Sequence, residues 1–167
     1  MNTVCQGFVK DKGITFLPQS SWSFHGQPLP YTPFGMEKFP LGQILRKSLQ
    51  LRELSMYDLY LPVVQQPNPD AVIKAENTTG PILLISSKMD TMWPSEPAAA
   101  SIMARLREHS FPYEFRHLSY DYGSHLFIPM QLRSAKFFRG ERGKNNQLGR
   151  EARMDSLEKT LEFVSRW

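Results

Sequence analysis

The stretch Pro81-Ile-Leu-Leu-Ile-Ser-Ser87 constrains this chain more than any other feature. It is apolar at consecutive rather than alternate positions, the pattern of a short parallel strand covered on both faces. A parallel strand needs a crossover to its neighbour, and the next residues supply one. From about Ser95 to His109, Ala98, Ile102 and Leu106 recur at helical spacing beside Ala99 and Met103, with Ser95 placed to cap. Tyr113–Tyr120 then alternates, with Tyr113, Phe115, His117 and Ser119 on one face and Glu114, Arg116, Leu118 and Tyr120 on the other. The polar run Arg139–Arg150 reads as a loop. A last helix over about Arg153–Arg166 carries Met154, Leu157, Leu161 and Val164 on one side. Strand, helix, strand and helix in this order predict an α/β architecture of parallel strands with flanking helices.

Upstream the texture differs. Residues 1 to about 35 are rich in Gly, Pro, Ser and aromatics, as in Ser20-Ser-Trp-Ser-Phe-His-Gly-Gln-Pro-Leu-Pro30, and predict ordered loop. Gly42–Arg52, Met56–Tyr60 and Asn68–Ile73 predict short helices broken by Pro40, Pro62, Pro67 and Pro69. The chain thus divides into a loop-rich and short-helix segment, 1–79, and a strand–helix–strand–helix unit, 80–167, within one structural domain of a length able to bury a core.

Two residues stand where such a sheet presents chemistry. Asp90 lies three positions past the first strand and His125 five past the second; their separation, 125 − 90 = 35, is what one helix plus one strand requires. In α/β-hydrolases the reacting groups follow the chain order nucleophile, acid, histidine, each on a loop after a strand. Asp90 and His125 fit the acid and the histidine. The histidine would serve as general base and then general acid, and the aspartate would fix its tautomer and stabilise the imidazolium. Taken singly, each has a plainer reading: an Asp after a strand is commonly a turn residue, and Gly-Ser-His is a weak motif.

The surrounding residues resemble one family. Gly80–Ser87, Asp90-Thr-Met-Trp-Pro-Ser95, Gly123-Ser-His125, Gln6-Gly-Phe8, Gly26-Gln-Pro-Leu-Pro30 and Ala152–Phe163 look like the C-terminal domain of acyl-CoA thioesterases and bile-acid-CoA:amino-acid N-acyltransferases. The resemblance spans nearly the whole chain. It implies the C-terminal portion of an α/β-hydrolase fold, an acyl-CoA or ester substrate in the complete enzyme, and Asp90 and His125 in the acid and histidine positions.

The departure is the nucleophile. The family carries Ser or Cys in Gly-x-Ser/Cys-x-Gly, and no such motif occurs in these 167 residues. Cys5 has no elbow around it and reads as a small apolar residue. The chain alone is therefore expected to be inactive. Two alternatives stay open: a non-catalytic truncated binding or assembly module, and a general carboxylesterase or dienelactone-hydrolase-like enzyme. A shortfall of sheet would leave an apolar edge, so a homo-oligomer or a partner supplying the missing N-terminal half is expected.

Composition excludes other classes. No apolar run approaches the roughly 20 residues of a membrane span. The first residues lack a basic stretch followed by an apolar core, so no signal peptide is expected. A single cysteine, Cys5, excludes an internal disulfide and fits the reducing cytoplasm. His25, His109 and His117 stand at no ligand-like spacing, so no metal and no cofactor is expected. A net charge of +4 is too mild to suggest nucleic acid as partner. The basic run Arg133, Lys136, Arg139, Arg142, Lys144, Arg150 and Arg153 could meet coenzyme A phosphates, but reads better as a solvated loop. Trp93 reads as packing under the acid loop.

Overall fold

The computed structural model describes residues 4–9, 13–35, 39–123, 125–127 and 146–167, with side chains from residue 19 onward except that of Asn146. The strand–helix–strand–helix unit is present. β5 (Ile82–Ser87) pairs in parallel with β6 (Phe115–Tyr120), from Ile82 opposite Phe115 to Ser87 opposite Tyr120. The crossover between them is α3 (Ser95–Glu108), and α4 (Asn146–Val164) closes the chain. Both α3 and α4 contact β5.

Helix α3 buries Ala99, Met103 and Leu106, the last with no exposed surface. Its outer side carries Arg105, whose guanidinium grips the carboxylate of Glu76 through two hydrogen bonds and ties the helix to the turn before β5. Ser95 does not cap the helix; Pro94 holds the cap position. The Ser95 hydroxyl instead donates to the Ser87 carbonyl at 3.3 Å and accepts from the Ser87 amide at 3.4 Å.

The first segment is more regular than its composition predicts. β1 (Val4–Val9) and β2 (Gly13–Ser20) form an antiparallel pair, and β3 (Ser23–Phe24) and β4 (Gln27–Pro28) form a second, very short one. The loop expectation fails because Gly, Pro and Ser mostly sit at the strand ends and turns. The runs between them hold β-favouring Val, Ile, Thr and Phe. His25 and Gly26 both take positive φ, 48° and 76°, as a two-residue type I′ hairpin turn requires.

The predicted short helices appear as α1 (Leu41–Leu51), α2 (Tyr57–Gln65) and a 3₁₀ turn at Pro69–Ala71. Pro62 does not break its helix but lies inside α2. An interior proline costs about 3 kcal/mol. Leu59, Val63 and Val64 are buried on the same helix, and each contributes roughly 1.5–3 kcal/mol, so burial outweighs the break. Phe34, Ile44, Leu59 and Val63 form a core of their own, with Tyr31, Phe39, Leu54, Met56 and Tyr60 against it.

Helix α4 starts earlier than expected, at Asn146; residues 139–145 of the predicted loop lie outside the described residues. Its buried side is also not the predicted one. Ala152, Ser156 and Phe163 are buried, whereas Met154, Leu161 and Val164 are exposed by 48%, 62% and 54%. Asp155 anchors the helix to β6 by accepting a 2.7 Å hydrogen bond from the Tyr120 hydroxyl.

Candidate active site

Both predicted site residues leave the sheet at the same end. Asp90 follows β5 in a tight turn in which its amide donates to the Ser87 carbonyl at 3.3 Å. His125 follows β6 after Gly123. Because the strands are parallel and in register at Ser87 and Tyr120, the two loops emerge side by side. His125 Nδ1 lies 3.2 Å from Asp90 Oδ2, at the outer limit of the usual hydrogen-bond reach of about 2.6–3.2 Å.

Asp90 is 5% exposed. Burying a carboxylate is costly unless its oxygens are satisfied, and here both are. Oδ1 accepts from the amides of Met92 and Trp93, each at 3.0 Å, and Oδ2 faces His125. The same loop is held from outside. The Thr91 carbonyl accepts from the amides of Met56 and Tyr57 and from the Ser55 hydroxyl, and the Thr91 hydroxyl donates to the Leu54 carbonyl. Trp93 packs edge-on against Tyr60 with ring centroids 4.9 Å apart.

Below the loop lies a polar cluster that periodicity does not reveal. Glu96, in the first turn of α3, accepts hydrogen bonds from Ser86 of β5 and from Ser119 of β6 at 2.8 Å; His117 Nε2 lies 2.7 Å from the Ser86 oxygen. Burial pushes the Glu96 carboxyl up, but the two serine hydroxyls, His117 and Lys88 more than reverse this, and its pKa is lowered. Ser86 is 1% exposed, so its hydroxyl is closed to a substrate, and this serine, histidine and glutamate form a staple between helix and sheet. Together with the Ser87–Ser95 pair it fixes both ends of the acid loop. Ser86 opposite Ser119 in the strand register is the sequence signal that could have found it.

The hydrogen bond to Asp90 raises the pKa of His125 above that of an ordinary imidazole; burial works the other way, and the carboxylate's charge adds to the rise. The sign for stability follows by linkage. A histidine with a raised pKa stabilises the fold fully below its unfolded pKa, and this stabilisation is lost as pH rises through the folded value. Stability is therefore expected to fall across that window, and Asp90→Asn is expected to return the His125 titration to lower pH. NMR titration of the imidazole ring protons checks both; an unchanged midpoint in the variant would break the assignment of the pair.

Gly123 sets the path of the histidine loop. It has φ +153°, and a Cβ there would come within 2.6 Å of the Phe127 ring and 3.2 Å of the Ser87 hydroxyl. Gly123→Ala is expected to cost about 1–3 kcal/mol, from strain and crowding together. Denaturant unfolding measures it, and a variant as stable as the wild type would mean that Phe127 yields freely.

The other candidates fall outside the site. His25 packs against Phe24, and the His109 ring contacts the Arg105 carbonyl. Among the described residues no group of three His, Cys, Asp or Glu could hold a metal ion. The side chain of Cys5 and residues 133–144 of the basic run lie outside the described side chains; Arg150 and Arg153 lie on α4. Among the described residues no helix is long and apolar enough to cross a membrane.

One comparison with known proteins is positive. The family model described as BAAT / Acyl-CoA thioester hydrolase C terminal matches residues 5–164. No curated protein and no solved structure matches the chain.

Proposed function

The chain belongs to the BAAT / acyl-CoA thioester hydrolase C-terminal family, and from that premise we propose that it carries the acid and histidine of an acyl-transfer site, Asp90 and His125. The supporting observation is the 3.2 Å contact between Asp90 Oδ2 and His125 Nδ1, made by loops that leave adjacent parallel strands at one end of the sheet. A bond from Nδ1–H to the carboxylate fixes the tautomer in which Nε2 accepts a proton.

In a complete enzyme the nucleophile, a Ser or Cys, gives its proton to His125 Nε2 as it attacks the thioester carbonyl. The C–S bond breaks, and the coenzyme A sulfur leaves with the proton from His125. A water or an amine then gives its proton to His125 and attacks the acyl group, and the nucleophile is released with that proton. The Asp90 carboxylate offsets the imidazolium charge in each half-reaction.

The nucleophile is not among these 167 residues as a recognisable motif. The test therefore compares acyl-CoA turnover by the chain alone with turnover by the chain completed with a nucleophile-bearing α/β-hydrolase half. Wild type, Asp90→Asn and His125→Ala are compared in the completed form. A second reading, a non-catalytic binding or assembly module, draws on the small size of the parallel sheet, two strands among the described residues. Equal turnover by all three completed forms would favour it.

A further inference from the structure

Beside the acid loop, between it and α1, lies a cavity of about 310 Å³. Its wall includes Lys47 and Leu51 from α1, Tyr57 from α2, and Lys88, Met89 and Asp90 from the loop after β5. The volume is at the small end for organic ligands, which occupy about 300–1,000 Å³.

The charge of this wall is informative. Asp90 is its one carboxylate, and that group is already committed to His125 and to the amides of Met92 and Trp93. The two ammonium groups come from elements far apart in sequence. Lys47 pairs with Asp58 and Lys88 with Asp121, but neither aspartate lines the cavity, and their side chains are 65% and 71% exposed. Exposed pairs of this kind are weak and yield readily to a better ligand. Each ammonium also carries three N–H donors, so it can hold an outer carboxylate and an inner oxyanion together. Two lysines thus line the cavity while the carboxylates that pair with them do not. Lysine is a compact point charge suited to phosphoryl oxygens.

Resting on the acyl-CoA reading above, we infer that Lys47 and Lys88 form a phosphate-docking pair that takes the phosphoryl groups of the coenzyme A portion of the substrate. The cavity shares Asp90 with the His125 pair, so the docked nucleotide end and the reacting thioester would lie on two sides of one loop. The sequence offers such a contact only on the basic run at 133–153, which reads better as a solvated loop. Lys47 looks like an ordinary solvated helix residue, and Lys88 is only a neighbour of the acid.

Calorimetric titration of the full 167-residue chain with coenzyme A tests this, with inorganic pyrophosphate and succinate as competitors. Coenzyme A is expected to bind and pyrophosphate to compete. Lys47→Gln and Lys88→Gln should each weaken binding about tenfold, the scale of one charge-assisted hydrogen bond. Lys159→Gln, a lysine outside the cavity that pairs with Asp155, should change nothing. Both cavity lysines are well exposed, so circular dichroism should show an unaltered fold. Coenzyme A binding that survives in the double variant overturns the docking pair and leaves the acyl-CoA reading intact. No coenzyme A binding by the wild type, or competition by succinate but not by pyrophosphate, overturns it as well. The acyl-transfer reading fails separately, if Asp90→Asn leaves turnover of the completed enzyme unchanged.

Discussion

Asp90→Asn is expected to lower acyl-CoA turnover of the completed enzyme by about 10⁴-fold, the scale seen when the acid of a serine-protease triad becomes an amide. The cause is geometric. An Asn side chain can present its NH₂ to His125 Nδ1, and Nε2 then carries the proton it should accept. The buried position sharpens the effect, because Oδ1 is held by the Met92 and Trp93 amides and the side chain has little room to turn. His125→Ala should cost as much, and the double variant little more, since the two act as a unit. The 167 residues alone are expected to hydrolyse neither acyl-CoA nor p-nitrophenyl esters above background. They contain no Gly-x-Ser/Cys-x-Gly motif, and the residue after the nucleophile in that motif donates a backbone amide to the oxyanion, whose loss is worth about 10²–10³ by itself. Steady-state assays of both forms decide the matter. Turnover by the isolated chain that vanishes in both variants would mean a nucleophile lies within these residues, and Cys5→Ser would be the next variant to assay.

The second large effect is on association. The parallel sheet has two strands among the described residues, fewer than the three or so that a stable open sheet needs without help from helices. Helices α3 and α4 give that help only in part: Ile82, Leu83, Leu84 and Ile85 are half-buried rather than buried. Each strand also presents one edge without a strand partner among the described residues, a template for another chain. The chain at micromolar concentration is therefore expected to sediment as a dimer or larger species, and to return to a single defined complex when a nucleophile-bearing half is supplied. A compact monomer that unfolds cooperatively would refute the open-sheet account.

The elements that carry the site were legible because they depend on local pattern. An unbroken apolar run gave β5, helical spacing gave α3, alternation gave β6, and their order singled out Asp90 and His125, which the fold brings to 3.2 Å of each other. What stayed hidden depends on partners distant in sequence. The stripe Met154, Leu157, Leu161 and Val164 has the spacing of a core face, yet α4 buries Ala152, Ser156 and Phe163 instead, in the rotation that the Tyr120–Asp155 bond holds. The same holds for Glu96, whose partners Ser86 and Ser119 come from two strands. Punctuation at residues 1–35 concealed two hairpins, although His25-Gly26 is itself a turn signal.

The Thr91 carbonyl has a consequence for how the molecule opens. It receives the amides of Met56 and Tyr57, while the adjacent Asp90 carboxylate receives those of Met92 and Trp93. Four amide hydrogens from two separate stretches of chain thus converge on two adjacent residues of one loop, and a fluctuation that lifts this loop away releases those of Met56 and Tyr57. Solvent exchange at Met56 and Tyr57 then becomes a clock for the acid loop, readable at residues that never touch the histidine.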